Sequence, residues 1–303
     1  MASSTLASAT VRIPIAAPPG APTAASSHRA GSLPASGKIG MALLGAVALM
    51  ALVGPSLTPD PYAQSLDRAL EGPSRGHWLG TDQLGRDLLA RVVLGSRLSL
   101  VIGLGATLFG LVVGGGVGVL AGYFGRWFEA VAMRTMEALL VFPGILIALM
   151  VVTVAGTGVL NVVLAVGLRA LPIFARVAQT STRSLCQQDF VVAARALGAP
   201  DHRILARHVL PSLLNSMVVV ASLQVATAIL IGATLSFLGV GVPPETPEWG
   251  AMLNAGRRYM LQHGRLVIYP GLAIMITILG INLFGDGLRL ALDPRHARGR
   301  QLR

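Results

Sequence analysis

Residues 189–211 read DFVVAARALGAPDHRILARHVLP, a polar stretch with Arg195, Arg203 and Arg207 set between two long apolar runs. Those runs, Val159 to about Val177 and Ser212–Leu235, have the length of membrane helices, because a hydrocarbon core of ~30 Å takes about 20 apolar residues. The stretch between them emerges into water, yet it is patterned as structure. Asp189 is placed to cap a short helix beginning at Phe190, its carboxylate accepting from the free N–H groups of the first turn. Phe190, Ala194 and Leu197 then share one face at helical spacing. Gly198 suits the left-handed position that ends a helix, and Pro200 discourages continuation. Asp201 is placed to cap a second short helix running to Val209, and Pro211 opens the next membrane helix, where its missing N–H costs nothing. A merely solvated connector does not need Phe190, Leu197, Ile204 and Leu205. Burying that apolar surface against a partner is favourable at ~25 cal/mol per Å², so the stretch reads as a docking surface for a soluble protein.

The rest of the chain is built for lipid. Of 303 residues, 53% are hydrophobic and 12% charged, with a mean hydropathy of +0.68, far from an ordinary soluble domain. Four more runs read as spans: Lys38–Leu57, Leu98–Tyr123, Glu137–Ala155 and Leu266 to about Leu288. The second carries eight glycines (103, 105, 110, 114, 115, 116, 118 and 122), and small residues let membrane helices approach closely. Gly156-Thr157-Gly158 makes a tight turn between the third and fourth. The expectation is an all-α integral membrane protein of six helices, since lipid leaves separate spans no other way to satisfy their backbones. Residues 1–37 are Ala, Ser, Pro and Thr without one acid, the composition of a disordered tail; its Arg content is thin for a transit peptide. The run after it lacks a small-x-small cleavage site, so it reads as a retained helix over 38–57 and not as a signal peptide. Residues 58–97 form an outer segment, 98–290 a core of five spans with its loop at 187–211, and 291–303 a basic tail.

The formal charge of +11 arises from 24 Lys+Arg against 13 Asp+Glu. No soluble basic domain with stacking aromatics accompanies it, which excludes a nucleic-acid partner; retention of basic loops in the cytoplasm is the simpler source. By that rule Lys38, Arg126, Arg134, the arginines of the 189–211 loop and those of the tail (Arg289, Arg295, Arg298, Arg300, Arg303) are cytoplasmic, with both termini. One segment resists: residues 59–97 carry five arginines, accompanied by five acids. The single Cys186 excludes an intramolecular disulfide and a multi-Cys metal site.

Arg169 stands inside the fourth run, LNVVLAVGLRALPIFAR (residues 160–176), and an intramembrane charge is a functional candidate by default. If Arg176 marks the membrane edge, Arg169 lies ~10 Å deeper, within partial reach of snorkelling. It either lines a translocation cavity and meets a substrate carboxylate, or packs near a Pro172 kink. His77, Asp82, Arg86 and Asp87 meet no metal-ligand spacing and read as structural; Leu84, Leu88 and Val92 give that region the pattern of an interfacial helix outside the bilayer. Trp249, near Pro243, Pro244 and Pro247, reads as an interfacial anchor on an outer loop that a binding protein could touch. Asp286 and Arg289 form a structural i,i+3 pair.

Several motifs resemble a known family. Ala193-Ala194, Gly198, Ile204 and Leu210-Pro211 are similar to the EAA loop of ABC importer permeases. HWLGTD (77–82) with Gly85-Arg86-Asp87, Ala121-Gly122-Tyr123, Phe142-Pro143, LSFLG (235–239), PEWG (247–250), FGDGLR (284–289) and LDP (292–294) resemble the permeases of dipeptide, oligopeptide, glutathione and nickel importers. The resemblance spans residues 40–296 and implies a type I importer permease fold in a bacterial inner membrane. It further implies a second, homologous permease, two cytoplasmic ATPases each docking one EAA loop, and an extracytoplasmic binding protein. Asp189, Phe190, Ala193, Ala194, Arg195, Leu197, Gly198, Asp201, Ile204, Leu210 and Pro211 would form the ATPase contact. The chain itself would be no enzyme and carry no cofactor; it has no Gly-rich loop ending in Gly-Lys-Ser/Thr for ATP. In one departure, Val192 stands where the family has Glu. Peptides, glutathione and nickel all remain open as substrates. A secondary transporter is the alternative of another class, although such carriers place paired carboxylates at mid-membrane and these spans have none.

Overall fold

The structure, a computed structural model, describes residues 34–292. The expected tail lies outside the described residues up to 33, and the basic tail does so from 293 onward. Five helices are long and apolar enough to cross a membrane, and a bent pair makes a sixth if counted as one span. The first, α1, is Ala35–Leu57. The second begins ten residues before the expected Leu98: α2 (Leu88–Phe109) passes through a π-helical turn (Gly110–Gly114) into α3 (Gly115–Phe124). Leu88 and Val92 are therefore not on a separate interfacial helix. Both are buried at the start of this rod, beside Trp249 and Leu266.

The third span is not continuous. α4 (Arg126–Val141) and α5 (Gly144–Ala155) meet at 92°. Pro143 is the cause: its ring excludes the residue before it from helical geometry, and Phe142 is accordingly extended, at φ −86° and ψ 138°. By contrast α6 (Val159–Leu185) runs through Pro172 without a break. α4 climbs antiparallel to α6, joined by Glu137 to Arg176 at 3.0 Å and Glu129 to Arg183 at 3.3 Å. These pairs are exposed and contribute little beyond register. After α6 come two short helices, α7 (Asp189–Ala196) and α8 (Asp201–Ile204), then α9 (Leu210–Phe237), α10 (Trp249–Gly256) and α11 (Arg265–Leu292).

α2, α5, α6 and α9 share the central core, with Ile102, Ala148, Val152, Val162, Val166 and Leu235 buried together. The π turn and α3 lie on α6 through three glycines four residues apart, Gly114, Gly118 and Gly122. A Cβ on Gly114 or Gly118 would stand 2.8 Å from the Cα of Leu171 or Ala175, and one on Gly122 2.5 Å from the Gln179 oxygen. Only glycine permits this approach, in which two backbones touch along two turns. The outward faces stay apolar, with Leu52, Leu104, Val112, Met150, Val154 and Leu230 exposed, as lipid or a second subunit requires.

Residues 58–87 and 238–264 close one end of the bundle. Asp82 accepts from the backbone N–H groups of Leu84 and Arg86, takes the Arg86 Nε–H at 2.6 Å, and has Arg91 Nε at 3.4 Å. Asp87 caps α2 through Ala90 N–H and holds His77 Nδ1 at 2.8 Å. The guanidinium of Arg91 donates to the Pro61 and Glu245 carbonyls, and Arg97 donates to those of Ala51 and Leu52. Three of the segment's five arginines, Arg86, Arg91 and Arg97, are thus committed to local structure. Trp249 is not an exposed anchor. It is fully buried and its indole N–H donates to the Val92 carbonyl at 3.0 Å. Glu248 caps α10 by accepting from Gly250 and Ala251; burial pushes its carboxyl up, against those hydrogen bonds. Asp286 and Arg289 form no ion pair among the described residues.

Candidate functional site

The opposite end of the bundle carries the 186–209 hairpin. α7 is capped by the extended residue Gln188, and Asp189 is its first helical residue, making no side-chain cap. Its charge still favours the helix from the first turn. Gly198, at φ +78°, ends the helix: Ala199 N–H bonds to the Ala194 carbonyl and Gly198 N–H to that of Arg195, the Schellman pattern. Asp201 does not cap either, since α8 has Pro200 in that place. Its carboxylate instead accepts from the Tyr123 hydroxyl at 2.6 Å, while the Arg195 guanidinium lies over the Tyr123 ring at 5.5 Å. The last turn of α3 is thereby stapled to both arms of the hairpin.

The second arm is not a separate helix. α8 continues through a π turn (Leu205–Val209) into α9, giving one rod over Asp201–Phe237. Pro211 thus sits inside a continuous helix and does not open one. The wider π register absorbs the missing proline N–H, and Ser212 Oγ–H donates to the His208 carbonyl at 2.8 Å. The hairpin also has its own core. Val191, Ile204 and Val209 are fully buried, with Tyr123, Leu185, Cys186, Ala194, Ala199 and Leu205 packed around them. Burial pushes the Cys186 thiol up, away from the reactive thiolate.

The faces expected from spacing are therefore redistributed. Ile204 is unavailable to a partner and Ala194 is half-buried, whereas Asp189, Phe190, Ala193, Arg195, Leu197, Gly198, Asp201, Leu210 and Pro211 are exposed. Leu197 is 88% exposed, Val192 55% and Phe190 42%; at helical spacing Phe190 and Leu197 share one side and form an apolar crest on a self-supporting hairpin, with Val192 exposed on another side. Sequence reasoning missed Val191 and Val209 as core and Tyr123 as staple, although the Ala121-Gly122-Tyr123 motif put a phenol at the end of a span.

Arg169 lies elsewhere, half-buried on α6 beside the α4–α5 break. A Cβ on Gly144 would fall 2.5 Å from Arg169 Cδ and Nε, so the absence of a side chain there makes room for the arginine stem.

Residues 114–298 match the family described as "Binding-protein-dependent transport system inner membrane component". The chain belongs to that family. It is 47% identical over 229 residues to the glutathione transport system permease protein GsiD of Pectobacterium atrosepticum (strain SCRI 1043), covering 76% of either chain. Identity to the protein of that name in Escherichia coli (strain UTI89) is 46% over the same length. The fold is similar to a chain of the inward-facing MetNI methionine ABC transporter, with a TM-score of 0.54 at 20% identity, covering 66% of this chain and 96% of that one. A second crystal form gives 0.53.

This inner-membrane component is the non-catalytic, multi-pass permease of an ABC importer. Binding-protein-dependent transport implies an ATPase and a binding protein as its partners. The hairpin combines an exposed apolar surface with attachment to two membrane rods.

Proposed function

We propose that the chain is one of two homologous permeases of an importer for glutathione or short peptides, and that its hairpin transmits the closure of one of two cytoplasmic ATPases. The observation that carries this is the hairpin's construction. Phe190, Val192 and Leu197 are exposed on a unit whose own core and Tyr123 staple fix it to two membrane rods. A loop without a mechanical task needs neither the core nor the crest. The arginines on that end support a cytoplasmic hairpin, with both termini on its side and the apolar outer faces in lipid. The substrate class rests on likeness to the GsiD proteins, and a permease does not read its substrate alone, because the binding protein selects first.

The test is reconstitution in proteoliposomes with the partner permease, the ATPases and the binding protein. Glutathione-loaded binding protein is expected to stimulate ATP hydrolysis and glutathione uptake together. Uptake of nickel in place of glutathione refutes the substrate; glutathione uptake without ATP refutes the importer mechanism.

A further inference from the structure

The polar face of α6 gives the proposed pathway a specific ligand. Val159 begins the helix at the end opposite the hairpin, and Arg169 lies ten residues on; with Val159 at the membrane edge this is ~15 Å at helical rise, half the depth of a ~30 Å hydrocarbon core. Three arginines lie on α6. Arg176 and Arg183 each hold a glutamate of α4, whereas Arg169 has neither an ion-pair partner nor a hydrogen bond among the described residues. An unneutralised guanidinium at this depth is expensive unless something anionic meets it. The fold makes room for it: a Cβ on Gly144 would press on the arginine stem, and the neighbouring span bends by 92° at Pro143 beside it.

Arg169 is also the start of a track. At 100° per residue, Arg176, Thr180 and Ser184 fall on the same stripe of α6 as Arg169. Thr180 and Ser184 then line an open groove of about 350 Å³ with Ser181, Ser212 and Ser216 at the hairpin end. Hydroxyls at a membrane edge suit a hydrated exit better than lipid.

We infer that Arg169 is a substrate-binding residue at mid-membrane that pairs with the carboxylate of the transported molecule, which then leaves along the hydroxyl-lined face of α6 and α9. This rests on the reading of the protein as a glutathione or peptide permease. A guanidinium presents a planar fork to a carboxylate and stays charged without water, which suits a substrate that has just left its binding protein.

The experiment uses the complete transporter in proteoliposomes, with [³⁵S]glutathione as the probe and Arg169→Gln and Arg169→Lys as variants. Arg169→Gln is expected to lower uptake roughly ten- to hundredfold, the loss of one charge-assisted hydrogen bond. ATP hydrolysis stimulated by loaded binding protein should persist, and Arg169→Lys should recover part of the uptake. Normal uptake by Arg169→Gln overturns the inference alone. So does a loss of uptake accompanied by a loss of co-purifying second permease, because Arg169 would then serve the subunit contact. Absence of glutathione uptake by the wild-type complex overturns the proposed function, and this inference with it.

Discussion

Two leucine-sized side chains of the hairpin make opposite predictions. Leu197 is 88% exposed and Ile204 is fully buried. Truncating Leu197 to Ala removes nothing from the fold, so stability should change by no more than about 0.5 kcal/mol. If the crest seats in an ATPase, the same truncation forfeits the burial of one leucine, about 1.5–3 kcal/mol, or roughly 10- to 150-fold in affinity. Ile204→Ala does the reverse. It leaves a hole between Val191 and Val209, and such truncations cost about 2–5 kcal/mol. The small, partly exposed cluster places this one near ~2 kcal/mol, because a site at a surface collapses more easily than a deep core. The hairpin then opens locally while the membrane core keeps its packing. Both quantities are measurable on permease in nanodiscs: ATPase-subunit affinity by calorimetry, and protection of residues 189–209 by hydrogen exchange. The expectation is weak binding with intact protection for Leu197→Ala, and lost protection for Ile204→Ala. Unchanged affinity in Leu197→Ala refutes the crest as a contact, and unchanged protection in Ile204→Ala refutes the hairpin core.

Three smaller predictions follow from neighbouring contacts. Gly118→Ala drives a methyl to 2.8 Å from Ala175 Cα, overpacking that costs about 1–3 kcal/mol; it should lower the unfolding midpoint in detergent, whereas Gly116→Ala, which meets nothing within 4 Å, should not. Equal midpoints for the two variants contradict the close approach of α3 and α6. Tyr123→Phe keeps the ring under Arg195 and loses only the bond to Asp201, so exchange of the Asp201–Ile204 amides should rise by about tenfold or less; no rise means the staple does not hold the hairpin. Val192→Glu places a carboxylate on an exposed position and should keep or raise binding-protein-stimulated ATP hydrolysis, while a large loss indicates that this hairpin meets its ATPase differently from those of its family.

Length and apolarity located the membrane helices because lipid demands about 20 apolar residues wherever a helix crosses, whatever packs beside it. Boundaries failed where packing decides. Leu84, Leu88 and Val92 looked like the apolar side of an interfacial helix, but Arg91 and Arg97 beside them find partners only once Asp82, Glu245 and Ala51 are folded against them. The break at Pro143 was visible in principle, since a proline inside an apolar run restrains the residue before it. Trp249 looked like an anchor because prolines surround it; its burial depends on Gly95 and Val92, some 150 positions earlier, which no local pattern contains.

The hairpin was legible as a structured loop, and Phe190 and Leu197 do face outward as read, but Ile204, Leu205 and Ala194 turn inward. Residues 190–197 carry apolar side chains almost all round, Val191 and Ala194 inward and Phe190, Val192 and Leu197 outward. Spacing alone cannot say which set is core. A helix apolar on every side is ordinarily buried on every side, and this chain covers only one of them. The α3 end, the α6 end and the π turn into α9 account for Val191 and Ala194; nothing among the described residues covers Leu197. On the proposed function the same eight residues serve two interfaces. The inner one locks the hairpin to α3 and α9, and without that lock a force applied at Leu197 would bend the loop before it moved a membrane helix.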